Sequence, residues 1–400
     1  MKRYFAGLST NTFLLALASL FADISTEMLY PVLPIFLTQT LGARVSVVGL
    51  VEGIAQATQN LAQGVSGAIA DTLRRRKPVA VLGYALAAAA KPLIGLASGW
   101  PGVLGARALD RLGSGARSAP RDALVAASAD DDSRGKAFGL EGIGDNLGAF
   151  LGPVIALGLL GLAHVDLRSI FFIALAPGVL ATLMTLLVRE TPTTVTAKAK
   201  LDASVFLLPA SYWRYLGVTA LFGIGNSSPS FLILRTTELG ASLTTTVFLY
   251  ALVNLAAALA SYPAGYLSDR LGRKGILLLS FLVFFAVYLG FGITTHAVLV
   301  GALFVLYGCY QGIFRAVGKA LASDLVPPEL RASGVGWYTA TIGITGLVAS
   351  TVGGQLWTRV GPSATFFLGA GSAVAGSIAL LAWGRMTLAT AEDELSGGTR

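Results

Sequence analysis

Two carboxylates, Asp23 and Glu27, stand four residues apart inside one apolar stretch, and a guanidinium, Arg111, stands inside another. Four residues is close to one helical turn, so the two acids share a helix face. At 1.5 Å per residue, Asp23 lies about 18 Å into its segment, Glu27 one turn further, and Arg111 about 15 Å into its own. A charge at the centre of a membrane helix costs about 2.5–3.5 kcal/mol on insertion scales, so it is normally paired or faces water. Burial and a neighbouring guanidinium pull a carboxyl toward opposite protonation states, a balance that a bound solute can tip. The expected chemistry is reversible proton uptake by Asp23, Glu27 or both, with Arg111 meeting them near mid-membrane. The competing reading is a static ion pair that locks the bundle.

A second set is cationic and duplicated. Arg117 and Arg121 recur 198 residues later as Arg315 and Lys319. Matched cations facing one cavity suit a phosphate or carboxylate, which Arg binds bidentately. They suit equally an inner gate closed onto Glu141, Asp145, Asp122 or Asp324. Lys91, just before Pro92, reads as a snorkelling or helix-paired lysine. Tyr30, Asn60, Asn226, Tyr250, Asn254, Tyr310 and Gln311 are candidates for the cavity lining, though aromatics and amides also hold helices together. His164 and His296 fall in loops, as surface residues. Cys309 is the single cysteine, and with so few His residues no metal site or cofactor is expected.

The elements that must carry these groups are membrane helices. The chain has 400 residues, 54% hydrophobic and 12% charged, with a mean hydropathy of +0.71, which excludes an ordinary soluble globular protein. Twelve apolar segments, roughly 11–38, 45–70, 78–99, 101–125, 138–162, 168–188, 211–236, 243–268, 274–295, 297–322, 333–358 and 362–386, are each long enough to cross a bilayer. The expected fold is therefore all-α, with twelve transmembrane helices. The first segment carries Asp23 and Glu27 and lacks a small-residue cleavage site, so it reads as a retained helix. Alternate loops hold Lys2, Arg3, the run Arg74 to Lys77, Arg134, Lys136, Arg189, Arg270, Arg273 and Lys274; the others hold only Arg44, Arg168 and Arg359. That bias puts both termini in the cytoplasm. It also explains the net charge of +8 as topology and lipid attraction, not nucleic-acid binding.

The 198-residue offset extends to Pro31 and Pro229, Leu41-Gly42-Ala43 and Leu239-Gly240-Ala241, Gly67 and Gly265, Asp71 and Asp269, Arg75 and Arg273, and Gly148 and Gly346. Two copies of one unit follow, 1–190 and 211–400, joined by a cytoplasmic linker at 191–210. Pro31 and Pro229 are expected to bend the first and seventh segments. The 48 glycines permit close helix approach in lipid. An ATP-driven pump is excluded for want of Gly-x4-Gly-Lys-Ser/Thr, and a membrane protease for want of His-Glu-x-x-His or Gly-x-Ser-x-Gly.

Gly265-Tyr266-Leu267-Ser268-Asp269-Arg270-Leu271-Gly272-Arg273-Lys274 resembles the inner-loop signature of the major facilitator superfamily. Gly67, Asp71, Arg75 and Arg76 repeat it, with Thr72 and Arg74 replacing its Arg and second Gly. Gly139, Gly148, Gly152 and Pro153 are similar to the motif of its proton-driven antiporters, except that Ala156 and Leu157 replace the closing glycines. Arg111 and Gly115 resemble a further motif whose Arg is linked to proton transfer, with Ser114 in place of Gln. Glu190-Thr191-Pro192 is similar to the Pro-Glu-Thr that follows the sixth segment in many relatives. The resemblance implies two pseudo-symmetric six-helix bundles in a plasma (inner) membrane, a monomer without cofactor. It implies proton-coupled efflux of a small organic solute by alternating access, with an anionic-metabolite exchanger as the alternative. It implies gating roles for Gly67, Asp71, Arg75, Arg121, Asp145, Gly265, Asp269, Arg270, Arg273 and Lys319.

Overall fold

Hydrocarbon offers no partner to a backbone N–H or C=O, so a chain this apolar satisfies them within helices. In the computed structural model, residues 9–73, 75–128, 134–190, 208–327 and 330–397 are described, without the side chains of 67–73, 134–136, 262, 297–298, 331–333 and 384–397. Linker residues 191–207 and the side chains of Gly67 and Asp71 lie outside that description. Every expected apolar segment is helical, and no strand occurs among the described residues.

The first segment is broken, not merely bent. Helix α1 (Thr10–Glu27) stops at the turn holding Tyr30 and Pro31. The chain resumes as a short α2 (Leu33–Ile35) and a π turn over Phe36–Thr40. Its counterpart breaks at the corresponding place: α9 (Ala210–Gly223) and α10 (Ser230–Glu238) flank a turn ending at Pro229. The continuous helices between them are α3 (Val45–Leu73), α4 (Arg76–Leu96), α5 (Trp100–Ala127) and α6 (Arg134–Gly161). The pair α7 (Leu167–Ile173) and α8 (Leu175–Leu187) completes the first half. After α10 come α11 (Leu243–Leu271), α12 (Arg273–Ile293), α13 (Ala297–Asp324), α14 (Arg331–Arg359) and α15 (Pro362–Gly397). Eight spans among the described residues are long and apolar enough to cross a membrane.

The repeated punctuation has local causes. Gly42 and Gly240, the repeated glycines of the two Leu-Gly-Ala triplets, have φ of 64° and 87°, left-handed conformations that favour glycine at a helix exit. Gly272, inside the Gly-x-x-x-Asp-Arg-x-Gly signature, turns α11 into α12 in one residue at φ 92°. Arg273 bonds Asp269 at 3.1 Å and also Asp324, tying this turn to the end of α13. Asp166 caps α7, and the Ser169 hydroxyl, with the backbone N–H groups of Ser169 and Arg168, holds its carboxyl below the usual range.

Within the first half α1 packs on α6 and α8, and α5 on α3 and α4. Within the second α11 packs on α13, and α12 on α13 and α15. The halves are glued differently. The second has an aromatic core, in which Phe222 stacks on Phe281 at 4.0 Å, Phe284 on Tyr288 at 3.9 Å, and Tyr310 on Phe314 at 5.7 Å. The first has a buried ionic core, described below.

The halves meet mainly along α3–α14 and α6–α11. Contact is tightest at the end away from the termini. A Cβ on Gly49 would stand 2.1 Å from the Ser350 carbonyl oxygen, and one on Gly354 2.8 Å from Ser46 Cα. Ser46 N–H donates to Thr358 at 3.2 Å. Toward the other end the charged side chains of Asp122 and Asp145 in the first half, 48% and 47% exposed, and of Lys319 in the second stand open to solvent. That end also gathers Asn11, Arg76 and Glu190, through Asn11 to the Arg189 carbonyl at 2.7 Å and Arg76 N–H to Glu190 at 2.5 Å. The cleft between the halves therefore opens toward the terminal end.

Candidate functional site

Glycine steps set the depth of the two carboxylates. Gly144, Gly148 and Gly152 bring α6 against α1, and a Cβ on Gly148 or Gly152 would stand 2.9 Å from the Cβ of Asp23 or Glu27, respectively. Of the antiporter-like glycines, Gly148 and Gly152 thus pack on the helix that bears the acids, while Gly139 has nothing within 4 Å of its Cβ position. Gly115 does the same for α5 on α3, where a Cβ would stand 2.3 Å from the Gln59 carbonyl oxygen.

The two acids share a face yet have different partners. Asp23 takes Arg117 at 3.4 Å, with Asp145 beside it. Glu27 accepts from Tyr250 Oη at 3.0 Å and from Asn254 Nδ2 at 3.4 Å, both on α11 of the second half. Asn254 also donates to the Ala149 carbonyl of α6 at 2.8 Å, so one amide bridges the halves. The expected meeting of Arg111 with Asp23 and Glu27 is not what the side chains do. Arg111 donates to Gln59 at 3.1 Å, stands 3.9 Å from Asp110 and lies over the Tyr30 ring at 5.8 Å. Its hydrogen bond goes to Gln59 of α3, and the acid one residue before it, Asp110, stands nearby.

That acid belongs to a network the sequence reading missed. Asp110 bonds Lys91 at 3.0 Å and Arg107 at 2.9 Å, and Arg107 bonds Glu52 at 3.2 Å. Lys91, Arg107 and Asp110 are no more than 1% exposed. Lys91 is thus helix-paired and does not snorkel; it also donates to the Ala87 carbonyl. The signal was available: Glu52, Arg107 and Asp110 are charges inside apolar segments, and Arg107 and Asp110 are three apart on one face. Tyr30 joins this network to the cleft, with Arg107 at 5.6 Å from its ring centre and the Tyr250 ring stacked at 5.2 Å.

Toward the open end Arg121 bonds Glu141 and Asp122, each at 2.9 Å, and lies 3.7 Å from Asp145. All of these belong to the first half, so Arg121 spans no gate in this conformation. Asp324 pairs with Arg273 instead. Lys319 is exposed and faces Asp122 and Asp145. Arg315 is exposed, forms no ion pair among the described residues, and faces Tyr250, Tyr307 and Tyr310. Asn226, in the break between α9 and α10, sits against the Tyr310 hydroxyl, and Gln311 donates to Tyr307 at 3.3 Å. Arg270 lies over Tyr266 at 4.3 Å, while Arg75 is exposed beside the start of α4. His164 and His296 are exposed.

The sequence profile of the Major Facilitator Superfamily matches residues 15–234 and 215–397. The chain belongs to that superfamily, a family of multi-pass membrane transporters and not of enzymes. An uncharacterized MFS-type transporter of Methanocaldococcus jannaschii is 33% identical over 380 residues, covering 94% of this chain and 95% of its own. An uncharacterized protein of Mycobacterium tuberculosis is 29% identical over 330 residues, covering 80% and 78%. Among solved structures, a mutant of the nucleoside transporter NupG superposes with a TM-score of 0.79 at 15% identity, covering 94% of this chain and 100% of that one. The peptide transporter POT in complex with sulfate does so with a TM-score of 0.78 at 16% identity, covering 96% of both. At that identity the likeness concerns the fold.

Proposed function

We propose that the protein is a proton-coupled exporter of a small organic solute, working as a monomer in the plasma (inner) membrane. Twelve spans form two six-span units, 1–190 and 211–400, joined through 191–210 with both termini cytoplasmic. The units rock about a mid-membrane site, and the cleft described above is the cytoplasm-facing state. The observation that carries this reading is the pair Asp23 and Glu27 on one face of α1, one paired within its half and the other bonded across the cleft. Such carboxylates couple a proton to conformation if gaining it changes which of those bonds can form. Arg111, Gln59 and Tyr30 position the second acid's surroundings, and Asp269, Arg270 and Arg273 restrain the inner loop during rocking.

The test is proton movement. In proteoliposomes filled with a fluorescent pH dye, a transported solute should move protons against its own flow, and Asp23→Asn or Glu27→Gln should abolish this with folding intact. Uphill transport at wild-type rate in the double variant would end the assignment. A second reading, exchange of an anionic metabolite, is favoured by the unpaired Arg315 and exposed Lys319 on α13; electroneutral exchange surviving Asp23→Asn would select it.

A further inference from the structure

Charge in the cleft is almost fully accounted for by contacts within one half or by neighbours across the open end. Asp23 has Arg117, Arg121 has Glu141 and Asp122, and Lys319 faces Asp122 and Asp145. Among the described residues Glu27, Arg315 and, nearer the open end, Lys319 are left without an ion pair, and Lys319 stands in the field of Arg315 as well as of the two acids. Glu27 is bonded only by neutral donors, Tyr250 and Asn254, which orient its carboxylate without cancelling its charge. Arg315 has no acid within ion-pair distance among the described residues. Glu27 and Arg315 belong to opposite halves, and Tyr250 neighbours both: it donates to Glu27 and stands in the field of Arg315.

Glu27 is half-buried and Arg315 lies exposed on α13; a solute that brings the opposite charge to each, and excludes water as it does so, makes a charge-assisted contact at both ends. The geometry points to a dipolar solute, carrying a cationic amine for Glu27 and an anionic acid group for Arg315, with its apolar body against Tyr30 and Tyr250. The Tyr30 and Tyr250 rings stack on each other, 5.2 Å apart, and form an apolar wall beside Glu27 along whose edges an aromatic or bulky aliphatic body can lie. A solute held this way ties the carboxylate of one half to the guanidinium of the other. It therefore favours approach of the halves, which a solute of either single charge does not. This inference rests on the cleft being the solute's path.

The experiment is equilibrium binding to the purified full chain in lipid nanodiscs, at one pH and without a gradient. The probes are matched sets: tyrosine, tyramine and hydroxyphenylpropionate; leucine, isoamylamine and isocaproate. At least one zwitterion should bind roughly tenfold or more tighter than both singly charged partners, the order of one charge-assisted contact. Glu27→Gln should erase the advantage over the acid, and Arg315→Gln the advantage over the amine. Glu27→Gln conserves shape and Arg315→Gln shortens an exposed side chain, and the melting temperature of each variant without probe reports folding. An amine or acid binding as tightly as its zwitterion overturns the proposal, as does failure of every zwitterion to bind. Solute-driven proton movement without zwitterion preference removes the dipolar class alone. Zwitterion preference without proton movement removes the coupling alone.

Discussion

Replacing Gly49 by alanine tests the claim that the cleft is closed by backbone contact between α3 and α14. The new Cβ would stand 2.1 Å from the Ser350 carbonyl oxygen and 3.1 Å from the Phe231 ring. An ordinary carbon–oxygen contact needs about 3.2–3.4 Å, so the helices must part by about 1 Å, and backbone cannot turn aside as a flexible side chain can. Overpacking of this kind costs about 1–3 kcal/mol, and it falls on the state in which these helices touch. The population of that state should drop by roughly 5- to 150-fold relative to one parted at the same end. Gly105→Ala is the control, since nothing lies within 4 Å of its Cβ position and a helical Gly→Ala change is mildly stabilising. Spin labels at exposed His164 and Thr295, with Cys309 replaced by alanine, report the separation of the halves at that end by pulsed electron resonance. The distance distribution should shift toward longer values in Gly49→Ala and stay unchanged in Gly105→Ala. An unchanged distribution together with an unchanged melting temperature would refute the reasoning.

Three further outcomes are expected. Arg107→Met leaves Asp110 and Glu52 short of a buried partner and should lower unfolding stability by about 3–5 kcal/mol, read by thermal melting in detergent. Gly272→Ala forces a Cβ into a φ of 92° and should cost about 1–2 kcal/mol in the same assay, although nothing within 4 Å obstructs the atom itself. Asp269→Asn weakens the 3.1 Å pair with Arg273 and should slow turnover in vesicles while leaving the set of bound compounds unchanged; an altered set contradicts a gating role.

The helices and the shared face of the two acids were legible in the sequence because each is written in spacing. Apolar runs mark helices, and i,i+4 marks a shared face. Partner choice was not legible, because it is decided across helices. Asp23 and Glu27 look equivalent along the chain, yet α5 delivers Arg117 to one and α11 delivers Tyr250 to the other. Arg111 looked like their partner by depth alone, yet it bonds Gln59 of α3. Glu52, Arg107 and Asp110 went unnoticed because no motif contains them, although their cost in hydrocarbon marked them as needing each other. The break after Glu27 was anticipated only as a bend, since Pro31 accounts for one lost hydrogen bond and the π turn that follows reflects packing beyond it.

One fold held by two kinds of cement implies that its sides respond differently to heat and to substitution. Ion pairs such as Lys91 to Asp110 become less penalised by dehydration as temperature rises, whereas the drive to bury rings such as Phe222 and Phe281 levels off. Ion pairs also fix direction, while stacked rings tolerate sliding. The N-terminal bundle is thereby suited to act as the stiff reference frame, and the C-terminal bundle as the part that yields.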